Sequence, residues 1–241
     1  MNYMGSKARH AKHIIPILID YYKEGQVYVE PFVGGANLID KVPFKKRIGN
    51  DFNEYTIKVL KQIKKDVTVF PKTYKELTLD KYNKIARKPK HKWYGYCNIV
   101  LAWGSRWGAG YKHTKKDYLP GAVVKRDYTA EAYRNSQKQS HKLKGIKFNR
   151  CSYNDFKYPK NCLIYCDPPY RGTAEYKDDF DHDKFYKWCK KMTKKGHTVI
   201  ISEYNMPKKG FKQIWALETK VNFATVTTQA KRTERLFICQ K

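Results

Sequence analysis

Short apolar runs alternate with stretches of helical spacing at both ends of this chain, and the order of that alternation limits the fold. "QVYVE" (26–30) reads as a strand, "PFVGGANL" follows as a turn, and "KRIGND" (46–51) is a second short strand ending on Asp51. Glu54 to Lys64 returns to helical spacing, with Ile57, Leu60 and Ile63 on one face. Strand, turn and helix in this order imply a parallel sheet. Upstream, Ala8 to Glu24 is helical in tendency, with Ile14, Leu18 and Tyr21 aligned and Pro16 expected to kink it. After residue 145 the rhythm resumes with "IKFNR" (146–150) and "CLIYCD" (162–167). A helix follows over 181–194, with Phe185, Trp188, Cys189 and Met192 on one face, then the apolar strand "HTVIIS" (197–202). "QIWAL" and "ERLFIC" close the chain as strands. The expected architecture is α/β with a parallel sheet.

Between these halves the pattern changes. Lysine, tyrosine and glycine dominate residues 66–144, and no strand is evident there. "YTAEAYRNSQKQSHKLKG" reads as a polar helix, and "KWYGYCNIVLAWGSRWGAGY" mixes aromatics with glycine and basic residues. This stretch is expected to be an inserted, mostly helical lobe in a domain made of 1–65 and 145–241.

Charge narrows the partners. Lysine and arginine number 50 against 22 acids in 241 residues, a formal net charge of +28. Such a surplus repels itself in a compact chain and is offset by a polyanion. Nucleic acid is the first reading, an anionic membrane surface the second, and a lysine-rich genome explains part of the count. Six cysteines occur without paired CxxC spacing, several within apolar runs, as buried free thiols do. The polar, basic start "MNYMGSKARH" does not read as a signal peptide, and no run nears 18 apolar residues. The expectation is a reduced, cytoplasmic protein with no metal site and no membrane contact.

The strand "LIYC" runs straight into "DPPY" (167–170). In an open parallel sheet, ligands bind beyond the carboxyl ends of the strands. Two prolines fix φ and remove two backbone donors. The carbonyls of Asp167 and Pro168 are then rigid acceptors, the carboxylate is another, and the Tyr170 ring follows. Convergent acceptors beside a stacking face suit a planar ring carrying an amino group. Held by both N–H bonds, such an amine has its lone pair aimed at an electrophile. A proline-bounded turn with a solvated acid is the plainer alternative.

D-P-P-Y after an apolar strand resembles motif IV of the amino-methyltransferases that act on adenine in DNA. "YMGSK" (3–7) resembles the same family's N-terminal motif, "EPFVGGAN" (30–37) its Pro-Phe-x-Gly-x-Gly loop, and "NDFNEY" (50–55) its acidic segment. The second glycine here directly follows the first. The motif order is similar to the α-class, Dam-like (D12-type) enzymes. The resemblance implies a Rossmann-like S-adenosylmethionine-dependent methyltransferase sheet with an inserted target-recognition lobe. Its cofactor would be S-adenosyl-L-methionine, its product S-adenosyl-L-homocysteine, and its substrate double-stranded DNA.

By resemblance the catalytic residues are Asp167, Pro168, Pro169 and Tyr170. Tyr3, Lys7, Glu30, Pro31, Phe32, Gly34, Gly35, Asp51, Asp155, Phe156 and Asp167 would bind the cofactor. The residues themselves agree in part: adjacent glycines permit close backbone approach at a strand-to-helix turn, and an acid ending the next strand suits ribose hydroxyls. A tight turn at Gly34–Gly35 and a helix cap at Asp51 are the alternatives. "SEYN" (202–205) either shapes the base pocket or is a turn. In the insert, Arg106, Trp107, Tyr111, Lys112, His113, Lys115, Lys116 and Arg126 are the expected nucleic-acid contacts, because flipping a base out of a duplex needs phosphate, base-edge and stacking groups. Trp103, inside "NIVLAWG", is expected in the core. The insert lacks the Phe-Asn-Gly and Arg-x-Asn pattern of the GATC-reading enzymes, so the target sequence stays open.

Two other functions fit the same sequence: adenine methylation of RNA, and a basic nucleic-acid-binding protein whose active site has decayed. The small size and lone catalytic domain suggest an orphan or mobile-element enzyme, of a bacterial cell or phage-encoded; whether a partner endonuclease exists, and the oligomeric state, are open.

Overall fold

The computed structural model describes residues 1–112, 126–171, 180–221 and 230–240. Among them seven strands form one sheet in the order β3-β2-β1-β4-β5-β7-β6. The strands are β1 (Val27–Glu30), β2 (Arg47–Asp51), β3 (Ile146–Arg150), β4 (Cys162–Cys166), β5 (Thr198–Glu203), β6 (Phe211–Val221) and β7 (Ala230–Cys239). β1 to β5 pair in parallel, and β7 runs antiparallel between β5 and β6. This is an α/β, Rossmann-like sheet. Its strand order reverses between β1 and β4, which opens a crevice beyond their carboxyl ends.

Among the described residues five α-helices accompany the sheet: α1 (Ala11–Tyr21), α2 (Glu54–Lys65), α3 (Leu79–Ile85), α4 (Tyr128–Ser140) and α5 (His182–Lys194). Helix α1 is continuous through Pro16, which lies on its exposed side where a missing N–H costs least. Its buried face is Ala11, Ile14 and Leu18, while Ile19 is 45% exposed. Helix α2 starts because the Asn53 side chain accepts N–H bonds from Tyr55 and Thr56 at 3.0 and 3.2 Å. The cap expected as an alternative for Asp51 is therefore made by Asn53. Asp127 caps α4 and also accepts the Tyr74 N–H at 2.9 Å, tying the helix to the segment before α3.

Successive strand residues point to opposite faces, so the sheet divides its core in two. Tyr28, Leu163 and Tyr165 join a cluster with Ile14, Leu18, Ile57 and Leu60. Phe70, Leu77, Tyr82, Tyr96 and Tyr111, from the 66–144 stretch, belong to that same cluster. Val29, Ile164, Cys166 and Ile201 pack on the other face against Phe185, Trp188, Cys189 and Met192 of α5. The six cysteines are unbonded thiols. Among the described residues no helix is long and apolar enough to cross a membrane.

Candidate active site

β4 is buried along its whole length and delivers Asp167 to the crevice. There Lys7 Nζ lies 2.9 Å from Asp167 Oδ1. Lys7 comes from a short 3₁₀ turn, Lys7–Arg9, begun by Ser6, whose Oγ accepts the Ala8 N–H at 3.2 Å. The same ammonium is 3.9 Å from Glu234 Oε2 and 4.6 Å above the centre of the Tyr170 ring. The Tyr170 hydroxyl donates to Glu234 Oε2 at 3.0 Å and shares a 2.6 Å hydrogen bond with Ser202 Oγ. Tyr204 meets the Tyr170 ring edge-on at 4.6 Å. "SEYN" therefore stands beside D-P-P-Y.

Burial disfavours charge here, and the pairing opposes it. Burial pulls the Lys7 ammonium down, but Asp167 and Glu234 outweigh it and its pKa is raised. Burial pushes the Asp167 carboxyl up, and Lys7 pulls it back. Glu203 is 1% exposed, and burial raises its carboxyl to about 7 although it accepts the Tyr204 N–H at 2.7 Å and the Arg171 N–H at 3.4 Å.

The loop after β1 forms the second half of the site. Gly34 takes φ +46°, and Ala36 takes +55°, a left-handed value unusual for alanine. Ala36 stands where the Pro-Phe-x-Gly-x-Gly pattern has its second glycine. Asp51 fixes this loop to the end of β2: Oδ2 accepts the Gly34 N–H at 2.9 Å, and Oδ1 accepts the Asn53 N–H at 2.9 Å. The glycines admit Tyr3. A methyl on Gly34 would meet Tyr3 Cε1 at 2.7 Å, and one on Gly35 would meet Tyr3 Cβ at 2.6 Å. Asn37 Nδ2 donates to Ser6 Oγ at 2.8 Å. The segment 3–7 thus runs from the glycine loop, through Tyr3 and Ser6, to Asp167, through Lys7.

Other expected residues take plainer positions. Glu30 is 3% exposed and accepts the Tyr28 hydroxyl at 2.8 Å; burial holds its carboxyl well above the usual range. The Pro31 carbonyl accepts from Asn50 Nδ2 at 3.3 Å. Phe32 packs among Tyr153, Phe180 and Phe185. Pro168 is buried and Pro169 half-buried. Asp155 is exposed, and Phe156 packs edge-on against Tyr158.

In the 66–144 stretch an Ala102–Tyr111 bridge closes a loop, with the Trp103 N–H donating to the Gly110 carbonyl at 2.8 Å. Arg106 is exposed on it, and Trp107, 45% exposed, leans on Tyr55 and Tyr94. Trp103 is 53% exposed, which corrects its expected core position: the loop turns outward one residue after the buried Ala102. Tyr111 is instead a core residue, 5% exposed, stacked on Tyr82 and donating to the Leu77 carbonyl at 3.0 Å. Lys112 and Arg126 flank the Tyr128 ring, and Arg126 pairs with Glu131 at 2.8 Å. His113, Lys115 and Lys116 lie outside the described residues.

Sequence reasoning missed Glu234, Gln139 and Phe52. Gln139, near the end of α4, donates to the Gly35 carbonyl and to Asp40 Oδ2, both at 3.0 Å. Phe52, next to Asp51, is 70% exposed under the Arg150 guanidinium. Only Phe52 carried a signal, its place inside "NDFNEY".

Residues 3–94 match the family described as D12 class N6 adenine-specific DNA methyltransferase. That span holds the first three motifs, and D-P-P-Y lies beyond it. The chain is 24% identical over 202 residues to the type II methyltransferase M.FokI of Planomicrobium okeanokoites, a match covering 74% of this chain and 30% of that protein. The chain thus spans about a third of the length of that relative. A Pyrococcus horikoshii structure described as a candidate RNA methyltransferase aligns with a TM-score of 0.47 at 10% identity, over 99% of this chain and 86% of that one. A candidate methyltransferase complexed with SAH aligns with a TM-score of 0.35 at 9% identity, over 97% and 52%. At those scores neither likeness carries weight for the function.

Proposed function

We propose that this chain, whose residues 3–94 match the family described as D12 class N6 adenine-specific DNA methyltransferase, transfers a methyl group from S-adenosylmethionine to the 6-amino group of adenine in a specific short sequence of double-stranded DNA. The observation that carries the reading is the ionic pair of Lys7 and Asp167, at 2.9 Å beside Tyr170. It joins the N-terminal motif to D-P-P-Y at the sheet's switch point.

The residues fit the cofactor. The Gly34–Ala36 loop is fixed by Asp51 at the carboxyl ends of β1 and β2. A carboxylate with acceptor capacity left over suits ribose hydroxyls, and the exposed Phe52 ring beside it suits a planar base. When bound, the cofactor supplies an electrophilic methyl group.

The chain's own residues do the rest. Asp167 and the Pro168 carbonyl accept the two N–H bonds of the adenine amine and aim its lone pair. Tyr170, fixed by Ser202 and Glu234, offers its ring to the flipped base. Asp167 is placed to take the proton that the methylated amine sheds. A base in a duplex reaches such a pocket only after flipping, at a cost of a few kcal/mol. Residues 66–144 are assigned to target recognition, through Arg106 and Trp107 on their exposed loop, with Lys112 and Arg126 nearby.

The test is modification-detecting sequencing of DNA from a methylation-free host expressing the chain. Methylated adenine within one short motif is the expected result. Unmodified DNA, with protein that binds S-adenosylmethionine in calorimetry, overturns the DNA assignment and directs the search to RNA. Neither modification nor cofactor binding leaves a basic binding protein.

A further inference from the structure

We propose that Glu234, on the antiparallel strand β7, is a positioning residue of the methyl-transfer site; the inference rests on the function proposed above. No motif marks Glu234, and the geometry singles it out. Its Oε2 receives the Tyr170 hydroxyl at 3.0 Å and stands 3.9 Å from Lys7 Nζ. Lys7 in turn lies 2.9 Å from Asp167 and 4.6 Å above the Tyr170 ring. Four side chains from three separate parts of the chain therefore close one circuit: Glu234, Lys7, Asp167 and Tyr170. The side chains of Lys7, Asp167 and Glu234 are 9%, 20% and 13% exposed, so water screens their interactions weakly.

Charge explains why the circuit has two acids. Lys7 and Asp167 alone would sum to zero, and an acceptor neutralised by its own lysine holds an amine poorly. Glu234 brings the sum to minus one. That surplus faces an amine nitrogen which becomes positive as it is alkylated, so it favours the transition state over the ground state. The same carboxylate anchors the Tyr170 hydroxyl and so sets the plane against which the base stacks. Two residues along β7, Leu236 is fully buried on the same face, so an apolar residue at 234 would continue the core. The acid stands where packing alone would favour a hydrophobe.

The experiment is a double-mutant cycle of Glu234→Gln and Lys7→Gln, read by single-turnover methylation of a duplex carrying the motif that the wild type modifies. Cofactor dissociation constants are measured in parallel by calorimetry. Glu234→Gln preserves shape and can still accept from Tyr170, so it removes charge alone. It is expected to slow methyl transfer at least about tenfold while leaving the cofactor dissociation constant within about twofold. In the Lys7→Gln background, where no ammonium needs offsetting, the same change is expected to cost less than about threefold. Glu234→Asp, which keeps the charge, is expected to recover part of the rate. A wild-type rate for Glu234→Gln, or equal losses in both backgrounds, overturns the proposal. A wild type that methylates no DNA overturns the functional reading itself, and the role of Glu234 with it.

Discussion

Asp167, half-buried, and Glu203, buried, are both acids at the carboxyl end of the sheet, and their partners give them different work. Asp167 faces Lys7 and is an acceptor in an ionic pair. Replacing it with alanine should lower methyl transfer by a factor on the order of 10³, the cost of deleting one positioned polar partner of a reacting group. Duplex binding should be largely spared, because it rests on basic groups elsewhere. A gel-shift titration beside a methylation assay checks both halves. Among the described residues Glu203 accepts two backbone N–H bonds, and burial raises its carboxyl from 4.5 to about 7. Its folded pKa exceeds its unfolded one, so the folded state holds the extra proton between those values. Its contribution to stability is then complete below pH 4.5 and is lost as pH rises through about 7. The difference amounts to at most about 3 kcal/mol. Urea unfolding at both ends of that window should show the fall, and Glu203→Gln should flatten it. An unchanged slope would place the titration elsewhere.

At the scale of elements, the site depends on how tightly a glycine loop, a strand end and the N-terminal segment 3–7 interlock. A methyl on Gly35 would lie 2.6 Å from both Tyr3 Cβ and Asn37 Nδ2. Gly35→Ala should therefore cost about 1–3 kcal/mol of stability, as overpacking does, and should weaken cofactor binding by displacing Tyr3. Thermal melts with and without S-adenosylhomocysteine measure both effects. Much of this arrangement was legible in the sequence, because parallel strands and amphipathic helices leave local patterns. Val27–Glu30, Arg47–Asp51 and Cys162–Cys166 were readable as strands, and Ile57, Leu60 and Ile63 as the inner face of α2. Glu234 was not, since it opens an ordinary strand pattern. Only the pairing of β7 between β5 and β6 brings it to Tyr170, and pairing is a long-range property. Trp103 misled for a local reason. Its neighbours Leu101 and Ala102 are buried, but Gly104 and Ser105 take φ of +62° and +56°, and this left-handed turn throws the indole outward.

For the whole molecule the governing quantity is charge. A net +28 over 241 residues costs self-repulsion in the free protein, and that repulsion is relieved when phosphates are bound and their counterions released. Affinity for duplex DNA of any sequence should therefore fall steeply with salt, by about 10³-fold or more between roughly 50 and 200 mM if six or more phosphates are contacted. Sequence preference must come from a smaller set of groups that reach base edges, and Arg106 is the candidate tested first. It is exposed, on a loop pinned at its base by the Ala102–Tyr111 bridge. A phosphate contact and a base contact predict different outcomes for Arg106→Ala. Loss of a phosphate contact lowers the slope of log affinity against log salt by about one and leaves discrimination intact. Loss of a base contact leaves the slope unchanged and costs about 1–3 kcal/mol of discrimination between the methylated motif and its single-base variants. The second pattern is expected, since a rigid guanidinium is suited to a guanine edge. Fluorescence anisotropy across a salt series, with matched and mismatched duplexes, separates the two, and a variant that shifts neither slope nor preference removes Arg106 from the interface.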